Sequence, residues 1–180
     1  MIYTYKELKE QGLSAYNIKR MLEEGFLYKL DKGLYSDSEE FDQMEYIARK
    51  YPNAILTGES AFYVWNLTDE IPDNFHFASS HNSLKIKDEN ISQKFMSQKF
   101  LKLGVVQIKE NNASINIFDK ERMLIELIRD KKKYPYSLYK EIIHNYRDIA
   151  DEIDTYKLNE YLKSFHNGDK IMNTIMDEVF

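Results

Sequence analysis

Two periods of hydrophobicity run along this chain, one helical and one alternating, and their order is most regular at the start. Residues Thr4 to Gly12 fit a short helix, opened by a Thr cap and stopped by Gly. Ser14 opens a second helix, Ala15 to Glu24, which Gly25 ends. At 100° per residue, Ile18, Met21 and Leu22 share one face of that helix with Ala15 nearby, and Leu8 meets that face across the turn at Gly12. Phe26 to Leu30 and Leu34 to Ser36 then flank Asp31-Lys32-Gly33, the pattern of a β-hairpin. Helix, tight turn, helix and hairpin is the order of a winged helix-turn-helix. It predicts that Leu8, Ile18, Met21, Leu22, Leu27 and Leu34 are buried together.

The polar, acidic junction Ser36-Asp37-Ser38-Glu39-Glu40 is the best candidate boundary, giving a first domain of residues 1–38 and a second of 39–180. Phe41, Met44, Ile47 and Ala48 recur at helical spacing until Tyr51-Pro52. Ala54 to Leu56 reads as a short buried strand, Thr57 to Asn66 as an aromatic-rich helix, and Phe75 to Ser79 as an alternating strand. The stretch 91–107 is ambiguous, with strands plausible at Lys94–Ser97 and Val105–Ile108; Asn111-Asn112 then makes a turn into a strand over Ala113–Phe118.

From about residue 119 the pattern is helical. Met123, Leu124, Leu127 and Ile128 form an apolar stripe ending near Lys131-Lys132-Lys133. Ser137 caps a helix carrying Leu138, Ile142 and Tyr146, a third holds Leu158, Leu162 and Phe165 up to Gly168, and the last follows Asp169. The fold class expected is α+β, a winged helix-turn-helix followed by a mixed domain with a small sheet and a helical C-terminal subdomain.

The polar side of the second helix carries the candidate chemistry. Tyr16, Arg20 and Glu23 lie opposite the apolar face, flanked by Asn17 and Lys19, with Ser14 at the N-terminus. Arg and Asn pair bidentately with guanine and adenine edges, whereas Lys suits phosphate. Lys29 and Lys32 place positive charge where a wing touches the DNA backbone. A solvated amphipathic helix pair serving as a protein-interaction module has the same pattern.

Charge restrains the size of any DNA footprint. The 180 residues hold 25 Lys+Arg against 30 Asp+Glu, a net charge of −5. Residues 1–36 hold six basic and five acidic side chains, so the excess acid lies in the remainder. Binding through so small a module is local and strongly salt-dependent, and two copies on a repeated site are the physical remedy. No cysteine is present, which excludes disulfides and thiolate chemistry. No secretory leader or long apolar run is evident, so the expectation is a soluble, cytoplasmic protein.

Catalytic patterns are weak. His76, His81, His144 and His166 show no ligand spacing, so neither metal nor cofactor is expected. Gly58-Glu59-Ser60-Ala61-Phe62 begins like a nucleophile elbow, but Phe62 replaces the second Gly. Asp119, Glu121 and the acidic cluster Asp151-Glu152-Ile153-Asp154 read as helix N-terminal charge. The chain is not expected to be an enzyme.

Leu13-Ser14 through Gly25, with Leu30-Asp31-Lys32-Gly33-Leu34-Tyr35, resembles the N-terminal winged helix of the AbiEi family, antitoxins of type IV abortive-infection toxin–antitoxin systems. The resemblance extends through Ala54-Ile55-Leu56-Thr57-Gly58-Glu59-Ser60-Ala61, Leu67 to Pro72, Leu103-Gly104-Val105 and Ile117 to Arg122 followed by Asp130. Met123 and Glu126 stand where the family pattern has Thr and Asp. The resemblance implies a winged helix that binds inverted repeats in its own promoter and represses it. It also implies a second domain that counters an AbiEii-like nucleotidyltransferase toxin without requiring a stable complex.

The candidate antitoxin surface is Arg122, Arg129, Lys132 and Lys133, with Lys120 near the start of the same helix. Such a cluster suits nucleic acid or phosphate. An equal alternative is that Arg122 is partly buried and ties the helix to Asp119 or Glu126. A stand-alone regulator with a ligand-sensing or dimerising C-terminal region is the rival to the antitoxin as a whole.

Overall fold

Side-chain caps set the first helices where the pattern places them. In the computed structural model, which describes residues 1–110 and 113–180, Thr4 and Glu7 form a reciprocal capping box that opens α1 (Tyr5–Glu10). Ser14 Oγ accepts the Asn17 amide at 3.0 Å and opens α2 (Ala15–Glu23). A strand the pattern did not mark, β1 (Ile2–Thr4), joins β2 (Tyr28–Asp31) and β3 (Leu34–Ser36) in an antiparallel sheet of order β1-β3-β2. The strands add to the helix pair a core in which Leu8, Ile18 and Leu27 are buried and Tyr3, Leu13, Met21, Leu22 and Tyr35 pack half-buried around them.

The expected six-residue cluster is therefore altered in two ways. Met21 and Leu22 are only half-buried. Leu34 is buried but lies outside the cluster, because successive strand side chains face opposite ways and Tyr35 takes the core side.

The helix α3 (Gln43–Lys50), capped by Asp42, belongs with these elements. Its buried Glu45 accepts the Ile2 amide at 3.0 Å, and its Arg49 Nη1 donates to both carboxylate oxygens of Glu7 at 2.8 Å. The first compact unit comprises residues 1–53 with 107–115, past the junction read at residues 36–40. That junction is polar, but the helix after it supplies the acceptor that the β1 edge needs.

The second unit comprises residues 54–106 and 116–180. Its elements begin with β4 (Ile55–Leu56), α4 (Gly58–Val64), β5 (Phe75–Ser80), β6 (Ile91–Met96) and α5 (Gln98–Leu101). The stretch left ambiguous by the pattern thus resolves into a strand, a short helix and the start of the next strand. With β7 (Val105–Glu110) and β8 (Ala113–Phe118), the five-stranded sheet has order β6-β5-β4-β8-β7. The β4–β8 and β5–β6 pairs are parallel and β4–β5 is antiparallel. The turn expected at Asn111-Asn112 lies outside the described residues.

The helical part follows as α6 (Lys120–Arg129), a 3-10 turn at Lys131–Lys133, α7 (Tyr136–Asp148), α8 (Thr155–Leu162) and α9 (Gly168–Glu178). Every residue of α6 from Glu121 to Leu127 is buried, so this helix is central rather than one-sided. Ser137 does not cap α7, which starts one residue earlier, directly after Pro135. Gly168 opens α9 instead of closing α8. The architecture is mixed α+β, and among the described residues no helix is long and apolar enough to cross a membrane.

Candidate nucleic-acid interface

The helical period that buries Ile18 turns the other side of α2 outward. Tyr16 is 72% exposed, Lys19 and Arg20 are exposed, and Asn17 is half-buried. Each cation has a carboxylate one turn on: Lys19 Nζ lies 3.7 Å from Glu23 and Arg20 Nε 3.5 Å from Glu24. Exposed pairs of this kind contribute about 0.2–1 kcal/mol, so either cation exchanges its carboxylate for a phosphate or base edge at little cost. Ser14 is exposed, but its hydroxyl accepts the Asn17 amide and so positions the helix start.

Lys29 and Lys32 are exposed on the hairpin. Between them, Asp31 anchors the hairpin tip to α3. Its carboxylate accepts the Lys32 amide at 2.6 Å and the Tyr46 hydroxyl at 3.3 Å, and pairs with Lys50 at 2.9 Å. The Lys50 hydrogen bond, aided by that amide, holds the Asp31 carboxyl below its ordinary range. Asp31, Tyr46 and Lys50 are positioning residues that local spacing did not reveal, because the contact joins residues 15 or more apart in the chain.

The proposed basic surface on α6 is assembled differently. Arg122 is fully buried and is withdrawn from that surface. Its Nη2 and Nε donate to Glu126 Oε1 at 2.6 and 3.1 Å, and Nη1 donates to the Phe100 carbonyl at 3.1 Å. The guanidinium carbon lies 4.8 Å from the Phe118 ring centre and 5.1 Å from that of Phe165. The alternative in which Arg122 ties the helix to Glu126 is the one observed.

Glu126 also accepts Arg129 at 2.9 Å and Lys94 at 2.7 Å, and Lys94 bridges to Asp130 at 2.6 Å. Burial works to raise the Glu126 carboxyl, but attraction to Lys94 and Arg122 outweighs it and holds the group ionised below its ordinary range. Lys94 was missed because it sits on β6, 32 residues from Glu126. Gly104 completes the arrangement: its φ is +71°, and a Cβ there would lie 2.6 Å from the Arg122 Cβ.

Of the remaining predicted cations, Lys133 pairs with Asp130 at 2.8 Å and Lys120 with Glu152 at 2.7 Å. Lys132 is exposed and makes no ion pair among the described residues. Arg129, Lys132 and Lys133 line a cleft of about 860 Å3 that also receives Lys131 and Lys170. Arg129 is therefore a poor target for charge reversal, since a carboxylate there would face Glu126.

Ser60 is buried, donates to the Asn74 carbonyl at 3.2 Å and accepts the His76 amide at 2.9 Å. Its hydroxyl is thus occupied by main chain, with the His76 ring 3.5 Å away. Glu121, read as helix N-terminal charge, lies in the first turn of α6 and is also buried, accepting the Asp154 amide and pairing with Lys157. Among the described residues no cluster of three metal-ligating side chains occurs.

No family model matches this chain, and no curated protein matches it. Among solved structures, the crystal structure of the RV2827C protein from Mycobacterium tuberculosis is similar to it, with a TM-score of 0.64 at 12% identity. The match covers 99% of this chain and 72% of that one. At this identity the likeness concerns the fold alone.

Proposed function

We propose that the N-terminal unit binds double-stranded DNA, with α2 in the major groove and the β2–β3 hairpin against the backbone as a wing. The observation that carries this reading is the arrangement of α2, which buries Ile18 while presenting Tyr16, Lys19 and Arg20 to solvent, with Lys29 and Lys32 also exposed on the hairpin. In this reading Arg20 and Asn17 read base edges, and Lys19, Lys29 and Lys32 neutralise phosphates.

The sequence resemblance extends the proposal to an AbiEi-type antitoxin that represses its own operon at inverted repeats and counters an AbiEii-like nucleotidyltransferase toxin. This reading places its work in the cytoplasm and asks no catalysis of the chain. A gel-shift titration on DNA from upstream of its own gene tests the first part. Preference over a scrambled duplex at moderate salt is expected, and equal binding overturns it. Co-expression with a neighbouring nucleotidyltransferase gene tests the second: growth should be rescued, and continued growth arrest overturns it.

A second reading, a regulator whose C-terminal region senses a ligand, is favoured by the basic cleft in the second unit.

A further inference from the structure

The cleft combines two chemistries that a solvated surface does not bring together. Its lining holds Arg129, Lys131, Lys132, Lys133 and Lys170 against two carboxylates, Asp130 and Glu178. The unit around it has 16 basic and 19 acidic residues, so positive charge is concentrated here against the local average. Concave walls strengthen such a field relative to a flat surface. An apolar part of its wall is formed by Phe100, Ile128, Phe165 and Ile171. The Phe100 and Phe165 rings pack at 4.8 Å, and the Arg129 guanidinium lies 4.7 Å from the Phe165 ring.

We propose that this cleft, formed by the end of α6, the Lys131–Lys133 turn and α9, binds a free nucleoside polyphosphate. The phosphates lie on Lys132 and Lys170, neither of which makes an ion pair among the described residues, and the base lies against the apolar wall. Lys131 and Lys133 sit beside them, held in place by Glu178 at 2.8 Å and Asp130 at 2.8 Å. A volume of about 860 Å3 is within the roughly 300–1,000 Å3 of small-molecule sites. A nucleic-acid strand fits less well, because the charge does not continue along α9, where Asp169, Asp177 and Glu178 outnumber Lys170. This assignment stands whether or not the N-terminal unit binds DNA.

Isothermal titration of the full chain with ATP, GTP, inorganic tripolyphosphate and a ten-nucleotide single strand tests it. At least one nucleoside triphosphate should bind saturably, and at least tenfold more tightly than tripolyphosphate. Lys132→Glu and Lys170→Glu should each weaken that binding at least tenfold, with circular dichroism and thermal midpoint unchanged, since neither side chain holds the fold together. Absence of nucleotide binding, equal affinity for tripolyphosphate, tighter binding of the oligonucleotide, or folded variants that bind as well as the parent would each overturn the assignment.

Discussion

Arg20–Glu24 on α2 and Arg122–Glu126 on α6 are the same pair of residues at the same helical spacing, and they have opposite roles. The first is 3.5 Å apart with side chains 57% and 46% exposed; the second is 2.6 Å apart at 0% and 2%. What separates them is the company each keeps. Arg20 sits on a helix with one buried position, Ile18, whereas Arg122 lies within seven consecutive buried residues. A cation with only a weak, solvated partner remains available to a ligand, while one enclosed by carboxylate, carbonyl and aromatic faces is part of the core.

The largest effect expected of this difference comes from removing each arginine in turn. Arg122→Ala removes a guanidinium that donates twice to the buried Glu126 and packs between Phe118 and Phe165, and should cost about 3–5 kcal/mol. Arg20→Ala should stay within about 0.5 kcal/mol of the parent. Urea denaturation of both variants checks the contrast, and similar midpoints for the two would erase it.

Gly104→Ala should be the next most damaging. It forces a left-handed backbone on a residue with a Cβ, at about 1–2 kcal/mol, and drives that Cβ into Arg122, where overpacking adds about 1–3 kcal/mol. Gly12→Ala provides the control in the other unit: φ is +87° but nothing lies within 4 Å of the added atom, so only the backbone cost applies. Thermal midpoints of the two variants should differ in that order.

Acid sharpens the comparison further. Glu126 has a folded pKa below its unfolded value of about 4.3. Its contribution is therefore fully present above that value and is lost as pH falls through the folded pKa. Stability should decline below about pH 4.3, and less steeply in Glu126→Gln, which begins lower but no longer takes up that proton. An unchanged slope in the variant would show that other carboxylates carry the acid response. Glu7, held low by Thr4 and Arg49 against its burial, makes the corresponding contribution in the first unit, discounted there by solvent.

The smallest effects concern affinity alone. Lys32→Ala should weaken binding to all DNA sequences similarly and reduce the salt slope by about 1. Anisotropy titrations at several salt concentrations measure this, and a sequence-selective loss would move Lys32 from the backbone to a base edge.

Much of the N-terminal unit was legible because its determinants are local. Thr4 and Ser14 sit at the helix starts they cap, and Ile18 follows the period of its helix. The rest depends on contacts between distant residues. The buried Glu45 accepts the Ile2 amide of the β1 edge, and the Glu126 that pairs with buried Arg122 also pairs with Lys94 of β6. Neither relation has a local spacing. A run of seven residues mixing Glu, Arg and large apolar side chains, as from Glu121 to Leu127, does carry a readable signal: a helix surrounded by protein on all sides keeps charge only where charge is paired.

Arg122 holds the fold, whereas Arg20 is proposed to read DNA. A fluorescence anisotropy titration of the full chain and of Arg20→Ala, on DNA from upstream of its own gene and on a scrambled duplex, tests it most directly. The parent should prefer its own upstream DNA. Folded Arg20→Ala should lose about 1–3 kcal/mol of affinity there, with a smaller loss on the scrambled duplex. A parent that binds both duplexes equally, or a variant whose affinities match those of the parent, would contradict it.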